Sequence, residues 1–479
     1  MCLVPAVAEG KPCGHLMSPH GFFAVSGEGK EADWEANEKE EQFMEGILRN
    51  VKRTRDFMPE EQGLRNTIRR TLEEVFASHG CKLLETPMLQ HYDLLASKYG
   101  GGAEILKEVY RLTDQGERDL ALRYDLTVPL AKVVGMNPEM RLPFKRYEIG
   151  KVFRDGPVKP GRFREFIQCD VDIVGTTSML AEAELISMTF EAFARLGLDV
   201  YIQVNNRKLL SGLLQVMGIA EEQAADVMLS LDKLEKIGVD GVCDDLRERQ
   251  IEEPVIAKIA DFLRNGERSL DGLANRYDEQ LVQEGAAELQ ELFALLQGAG
   301  VAGEVRFTPF LARGLSIYTG TVYEIFLKDG RITSSIGSGG RYDKIIGQFL
   351  GDGREYPAVG ISYGLDVILT ALTMGDSPFE ARSADVFVIP LGTEAEALGL
   401  ANLIRKSTSL RVEVELMGRR LKKALDYANK ERIPYVLIFG ENERAAGTVV
   451  VKNMISGEER TIRIKDEKDW PSIFTQMQA

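Results

Sequence analysis

Arg146-Tyr-Glu-Ile-Gly-Lys-Val-Phe-Arg154-Asp-Gly-Pro-Val-Lys159-Pro-Gly-Arg162-Phe-Arg164-Glu-Phe-Ile-Gln168-Cys-Asp-Val-Asp172 reads as a strand, a basic Gly/Pro loop and a return strand. The outgoing strand ends in Arg154, and the loop carries Lys159, Arg162 and Arg164. On the return strand Gln168, Asp170 and Asp172 recur at period two, which places all three on one face. The hairpin thus brings guanidinium groups, an amide and carboxylates together. It suits a polyanion on one side and a polar, cationic small molecule on the other. Arginine grips phosphate oxygens with a planar fork and keeps its charge throughout.

The composition narrows the chemistry. A chain of 479 residues has room for about three domains. Its net charge of -15 argues against a nucleic-acid binder held by global charge, so RNA contacts would need local basic patches. Five cysteines, at positions 2, 13, 81, 169 and 243, form no CxxC pair. They suggest neither a disulfide framework nor a zinc site, and they fit a reduced, cytoplasmic protein. No apolar run approaches the roughly 20 residues of a membrane span. The four histidines, His15, His20, His79 and His91, all precede the hairpin. No Ser–His or Cys–His nucleophile pair can therefore form within the hairpin or within the later block around Arg313, and no multi-histidine metal site can either. Chemistry there must rest on positioning and electrostatics, as phosphoryl and nucleotidyl transfer do.

Outward from the hairpin, the chain divides by pattern. Residues 1–49 read as a disordered extension, or as the product of a start codon set upstream of Met44. Residues 50–198 hold a periodic helix from about Gln62 to His79, capped by Asp56, Pro59 and Glu60, then a strand Lys82–Pro87. Ala121–Pro129 reads as a strand turning into a helix, with Asp125 and Thr127 either as a helix cap or as ligand-facing groups. Residues 199–306 are largely helical and charged, opening on a short alternating strand. Residues 307–372 contain Leu311-Ala-Arg313-Gly-Leu-Ser-Ile-Tyr318-Thr-Gly320-Thr-Val-Tyr-Glu324, the glycine-rich Ser338–Asp343, and Pro357–Ile368. Residues 384–479 alternate strands and helices, the pattern of a small α/β domain.

The hairpin resembles motif 2 of class II aminoacyl-tRNA synthetases in its histidyl form. The Arg313 block resembles a signature of histidyl-tRNA synthetases. Residues 62–87 are similar to motif 1, which builds a homodimer interface, and residues 357–368 are similar to motif 3. The resemblance implies an α+β fold: an antiparallel core sheet with a helical insertion and a C-terminal anticodon-binding domain. The activity implied is ATP-dependent activation of histidine and its transfer to tRNA(His), with Mg²⁺ on the ATP phosphates and no metal site on the protein itself. Arg154 and Arg313 are implied as catalytic residues at the α-phosphate, and Arg162 as a further ATP contact. Asp125, Thr127 and Gln168 are implied around the amino-acid backbone, and Asp172 and Tyr318 at the imidazole. An imidazole offers one donor and one acceptor, so a carboxylate and a phenol can satisfy both nitrogens.

Three positions depart from the family pattern. Ser316 and Ile317 replace the usual Asp-Tyr, and Val367 stands where motif 3 carries an adenine-stacking arginine. The alternative is a catalytically reduced paralogue, acting as a histidine or tRNA sensor or as a regulatory subunit in histidine biosynthesis. Val367 favours it, whereas Arg154, Arg162 and Arg313 oppose it.

Overall fold

β-branched and aromatic residues at every second position drive the Arg146–Asp172 stretch into two long strands, and the rest of the first domain is built on them. A computed structural model describes residues 48–96, 106–156, 163–312, 317–374 and 384–464. The tail reading for residues 1–49 and the linker reading for 373–383 therefore fall almost wholly outside the described residues. In chain order the first strands are β1 (Lys82–Leu83), β2 (Leu89–His91), β3 (Arg111–Thr113), β4 (Asp119–Leu122), β5 (Phe144–Phe153) and β6 (Glu165–Val174). They are followed by β7 (Val200–Asn206), β8 (Glu304–Phe307), β9 (Thr321–Leu327), β10 (Gly337–Arg341) and β11 (Ala358–Gly364). Eight of them form one sheet in the order β1-β5-β6-β11-β10-β9-β7-β8. Its pairings are antiparallel except β1 with β5 and β7 with β8. The strands β2, β4 and β3 make a small antiparallel sheet of their own. The fold is α+β.

The large sheet has two chemically different faces. Tyr147, Ile149, Val171, Ile173, Val359, Ile361 and Tyr363 share one buried cluster with Ile68, Leu72 and Phe76 of helix Pro59–Ser78. Leu185, Ile186 and Phe193 of helix Leu180–Arg195 complete it. Each such side chain contributes about 1.5–3 kcal/mol by leaving water. The alternate residues, Arg146, Glu148, Gln168, Asp170, Asp172 and Ser362, lie on the opposite face, so one face is spent on the core and the other is left polar.

Several boundaries differ from those read in the sequence. Helix Pro59–Ser78 starts three residues early, because Pro59 sits in its first turn, where a missing N–H costs nothing. Its N-cap is Met58, which makes no side-chain cap hydrogen bond, and Glu60 and Glu61 stand in the first turn. Only Lys82–Leu83 of the expected strand pairs, in parallel with Arg146–Tyr147. The strand Val200–Asn206, read as the opening of the insertion, is part of the large sheet. The helical stretch thus runs from Arg207 to Gly298, between two parallel neighbours of that sheet. Gly238, at φ 67, kinks the helix Leu234–Glu248.

The C-terminal strands are β12 (Val386–Leu391), β13 (Val412–Val414), β14 (Tyr435–Gly440), β15 (Thr448–Asn453) and β16 (Glu459–Arg463), in the order β13-β12-β14-β15-β16. β12 is apolar on both faces because both are covered. Val386 and Val388 pack with Leu400 and Ile404 of helix Glu394–Ser407, and Phe387 and Ile389 with Ala424 and Ala428 of helix Leu421–Lys430. Among the described residues no helix is long and apolar enough to cross a membrane.

Candidate active site

The polar face is organised in rows by the strand register. Arg146, Asp172, Gly360 and Gly340 stand opposite one another across β5, β6, β11 and β10. Glu148, Asp170, Ser362 and Ser338 make the next row, and Gly150, Gln168 and Gly364 the third. Gln168, Asp170 and Asp172 therefore share a face, as period two requires.

Two glycines open a slot in this face. A Cβ on Gly360 would lie 1.9 Å from Asp172 Oδ1, and one on Gly340 would lie 2.8 Å from a ring carbon of Tyr318. Asp172 and Tyr318 thus lean over adjacent glycines from opposite sides, with backbone in place of side chains beneath them. Gly339 and Gly340 are in β10 and Gly360 is in β11, and only a hydrogen at Gly340 and Gly360 leaves room for Tyr318 and Asp172.

Asp172 is buried at 3% exposure. Its Oδ1 accepts from the Tyr342 hydroxyl, and its Oδ2 is 2.7 Å from Arg146 Nη2. Burial pushes its pKa up, while Arg146 and the Tyr342 hydroxyl pull it back down. Asp170, which accepts from Ser362, is pushed up to about 7, chiefly by burial. Gln168 Nε2 donates to Ser362 Oγ at 2.9 Å, while its buried Oε1 has no hydrogen-bond partner among the described residues. That orphan acceptor suits a donor such as an ammonium group.

Asp125 and Thr127 reach the site on a different element. The strand ends at Leu122, and Thr127 is already the first residue of helix Thr127–Met136, so the two do not project together from a strand end. Asp125 Oδ1 accepts from Val128 N at 3.0 Å, so its capping reading is realised. The segment is nevertheless fastened to β5 and its exit. Arg154 Nε donates to Tyr124 O at 3.2 Å, and Arg146 Nη2 donates to Leu126 O at 3.1 Å. The Arg154 guanidinium is also 5.2 Å from the centre of the Phe166 ring.

Arg162 and Arg313 lie outside the described residues. The described residues flanking Arg313 are anchored. Asn205 Nδ2 donates to Pro309 O and Leu311 O at 3.1 and 2.9 Å, and Thr319 N donates to Arg341 O at 2.8 Å. At the motif 3 departure, Val367 packs against the core. Its neighbour Asp366 is buried, ion-paired with Arg65 and accepting from Ile167 N at 3.1 Å. No role was read for Arg146, Glu148, Tyr342 or Ser362 from sequence. The period-two alternation of Arg146, Glu148 and Gly150 opposite Asp172, Asp170 and Gln168 is the signal that carries the first two. Among the described residues no group of three His, Cys, Asp or Glu side chains could hold a metal ion.

The site thus combines a hairpin edge carrying an arginine, a carboxylate and a phenol over paired glycines, and an orphan amide oxygen beside them. The sequence model described as Histidyl-tRNA synthetase matches residues 53–368. The chain belongs to the histidyl-tRNA synthetase family. A second model, described as Anticodon binding domain, matches residues 385–470. The chain is 60% identical over 413 residues to Histidine--tRNA ligase 1 of Bacillus thuringiensis subsp. konkukian, covering 86% of this chain and 97% of that one. It is 53% identical over 415 residues to Histidine--tRNA ligase 2 of Shouchella clausii, covering 86% and 97%. Among solved structures, the histidyl-tRNA synthetase of Nostoc sp. PCC 7120 superposes with a TM-score of 0.77 at 29% identity, covering 89% of this chain and 99% of that one.

Proposed function

We propose that this family member is a histidine–tRNA ligase that works through the slot between Asp172 and Tyr318. The histidine carboxylate attacks the α-phosphorus of ATP and pyrophosphate leaves. A terminal ribose hydroxyl of tRNA(His) then attacks the adenylate carbonyl, and AMP leaves. The observation that carries this reading is the slot itself: a buried carboxylate over Gly360 and a phenol over Gly340, two glycines paired across β11 and β10. The carboxylate takes the imidazole N–H and the phenol serves the other nitrogen. Apolar isosteres are rejected, because they would leave both groups unpaired. Gln168 Oε1, with Asp125 and Thr127, receives the α-ammonium.

Arg154 follows the end of β5, where we place the α-phosphate; the family resemblance assigns Arg313 to its other side and Arg162 to the ATP tail. Fixed cations there stabilise the charge that builds on α-phosphate oxygens in the transition state. Magnesium, which the class carries on its ATP, would arrive with the phosphates and neutralise part of their charge. The described residues offer no cluster of their own for it.

The paralogue reading is not favoured. Relatives named histidine–tRNA ligases span 86% of the chain, and the segment matching an anticodon-binding domain is present. Val367 stands where a cationic contact to adenine worth about 0.5–2 kcal/mol would otherwise lie, and we expect Arg154, Arg162 and Arg313 to compensate, leaving ATP KM ordinary.

Pyrophosphate exchange measured with each standard amino acid tests the proposal. Exchange should depend on histidine alone, and its absence in folded, ATP-saturated protein would sink the reading. We further place the enzyme in the cytoplasm and propose a homodimer through helix Pro59–Ser78 and the following strand. Leu83, Met88 and Leu89 stand exposed there at 63, 46 and 49%. Light scattering at micromolar concentration should return twice the chain mass of 53.3 kDa. A monomer would refute this part alone.

A further inference from the structure

We infer that Arg146 is the positioning residue that joins the two halves of the histidine pocket, holding Asp172 as a fixed carboxylate and locking the Asp125–Thr127 segment against it. This rests on the slot between Asp172 and Tyr318 being the imidazole site.

Arg146 is fully buried, at 0% exposure. A buried charge is costly unless paired and hydrogen-bonded, so its partners indicate what it is for. Nη2 faces two of them: Asp172 Oδ2 at 2.7 Å, an ion pair in which Oδ2 keeps no hydrogen-bond partner among the described residues, and the backbone carbonyl of Leu126, to which it donates at 3.1 Å. The first belongs to the imidazole end of the pocket. The second lies between Asp125 and Thr127, at the ammonium end. One guanidinium therefore ties β6 to the start of helix Thr127–Met136.

The neighbouring charges leave Arg146 to Asp172. Glu148 is 3.7 Å from Arg146 Nη1 but is already claimed by other donors. Its Oε1 takes Arg123 Nη1 at 2.7 Å and Thr86 N at 2.9 Å, and its Oε2, the oxygen nearer Arg146, accepts from Thr86 Oγ1 at 3.1 Å. Asp170 is engaged by Ser362 and pushed up to about 7 by burial. Arg146 Nε and Nη1 have no hydrogen-bond partner among the described residues. These orphan donors add no structural bond of their own, which points to a role beyond packing.

The groups facing Asp172 are Arg146 and Glu148 from β5, Asp170 beside it on β6, and Tyr342 beyond β10. Cys81 feels the same carboxylate, but burial pushes its thiol up to about 11, so it stays protonated. Burial keeps the Arg146 charge under pressure, yet Asp172 and Asp170 outweigh it and the guanidinium stays charged. Without Arg146, burial would still push Asp172 up and only the Tyr342 hydroxyl would oppose it. Its carboxylate would then protonate at a higher pH, and a protonated carboxyl is a poorer acceptor for the imidazole N–H.

The experiment compares wild type, Arg146→Met, Arg146→Lys and Asp172→Asn in pyrophosphate exchange from about pH 6 to 8, around the ordinary titration of histidine. Free histidine titrates equally in every assay, so the readout is the ratio of variant to wild-type KM. Arg146→Met should raise the histidine KM at least about tenfold at the top of that range, the scale of one charge-assisted hydrogen bond. The ratio should climb further as the pH falls, while the ATP KM stays nearly constant. Arg146→Lys keeps the charge without the fork, so its ratio should be raised but flat with pH.

A histidine KM in Arg146→Met close to wild type, with an unchanged pH profile, overturns the inference. If Arg146→Met does not fold, Arg146→Lys decides: a wild-type histidine KM there overturns the bridging role. Asp172→Asn separates the two claims. If it leaves histidine binding intact, the slot reading fails. If it weakens histidine binding while the Arg146 variants do not, only the role of Arg146 fails.

Discussion

Arg154→Ala should lower the rate of histidine-dependent pyrophosphate exchange by about 10²–10³, or roughly 3–4 kcal/mol of transition-state stabilisation. The side chain stands just past the end of β5, with Nε on Tyr124 O at 3.2 Å and the guanidinium beside the Phe166 ring at 5.2 Å. These two contacts aim it and use only one of its five N–H donors. Charge on the α-phosphate oxygens increases as the histidine carboxylate attacks, so the loss falls mainly on the rate and much less on histidine KM. Stability should change little, because one partly exposed hydrogen bond is worth about 0.5–1.5 kcal/mol. Arg154→Lys should recover only part of the rate, since an ammonium cannot make the same fork. Rapid-quench measurement of adenylate formation checks this. A rate within about threefold of wild type, well short of the loss of one such donor, would remove Arg154 from the α-phosphate.

The hairpin was legible because its two signals agree. Apolar and polar residues alternate on both strands, and Gly and Pro lie between them. The face shared by Gln168, Asp170 and Asp172 followed from period two alone. The strand β10 was harder to read. Gly337-Ser-Gly-Gly-Arg341 carries the residues of a turn, and its strand conformation comes from across the sheet. Gly339 would otherwise meet Gly360 O at 2.1 Å, and Gly340 would meet Tyr318. Local propensity cannot anticipate a tertiary demand of that kind.

Val200–Asn206 was misplaced for a related reason. Its alternation was visible, but its partner β9 lies more than a hundred residues further on, beyond the helical insertion. Arg146 was quoted in the hairpin and given no role. A lone arginine on a strand usually reads as solvated, and its burial follows only from Asp172 standing opposite. Asp172 and Tyr318 were singled out by resemblance, whereas the paired glycines beneath them needed the register.

Glu182→Ala should destabilise the fold by about 3 kcal/mol, because it leaves the buried Arg341 guanidinium with only a 3.4 Å ion pair to Asp343 and the Thr176 carbonyl. Glu182 is at 0% exposure on helix Leu180–Arg195. Arg341, at the end of β10, grips it with Nε–Oε1 and Nη2–Oε2 both at 2.7 Å, and its Nη1 donates to Thr176 O at 2.9 Å. A loss of that size is a large fraction of the 5–15 kcal/mol that holds a typical fold, so calorimetry should show a clearly lowered transition. The damage should also reach the site. Arg341 O receives Thr319 N, and the chain continues into Tyr342, so this ion pair fixes the strand end beside both Tyr318 and Tyr342. At a temperature where the variant is folded, its histidine KM should rise while its ATP KM changes less.

The Glu182→Met/Arg341→Met double variant discriminates between explanations. Replacing a whole buried pair by apolar groups is often neutral, whereas breaking it is not, so the double variant should recover much of the stability lost by Glu182→Ala. It should not recover histidine KM if the guanidinium is what orders Thr319 and Tyr342. If instead Glu182→Ala melts within about 0.5 kcal/mol of wild type, the pair is worth no more than a surface ion pair. The anchoring of the two tyrosines would then have to come from the backbone bonds of β10 to β9 and β11 alone.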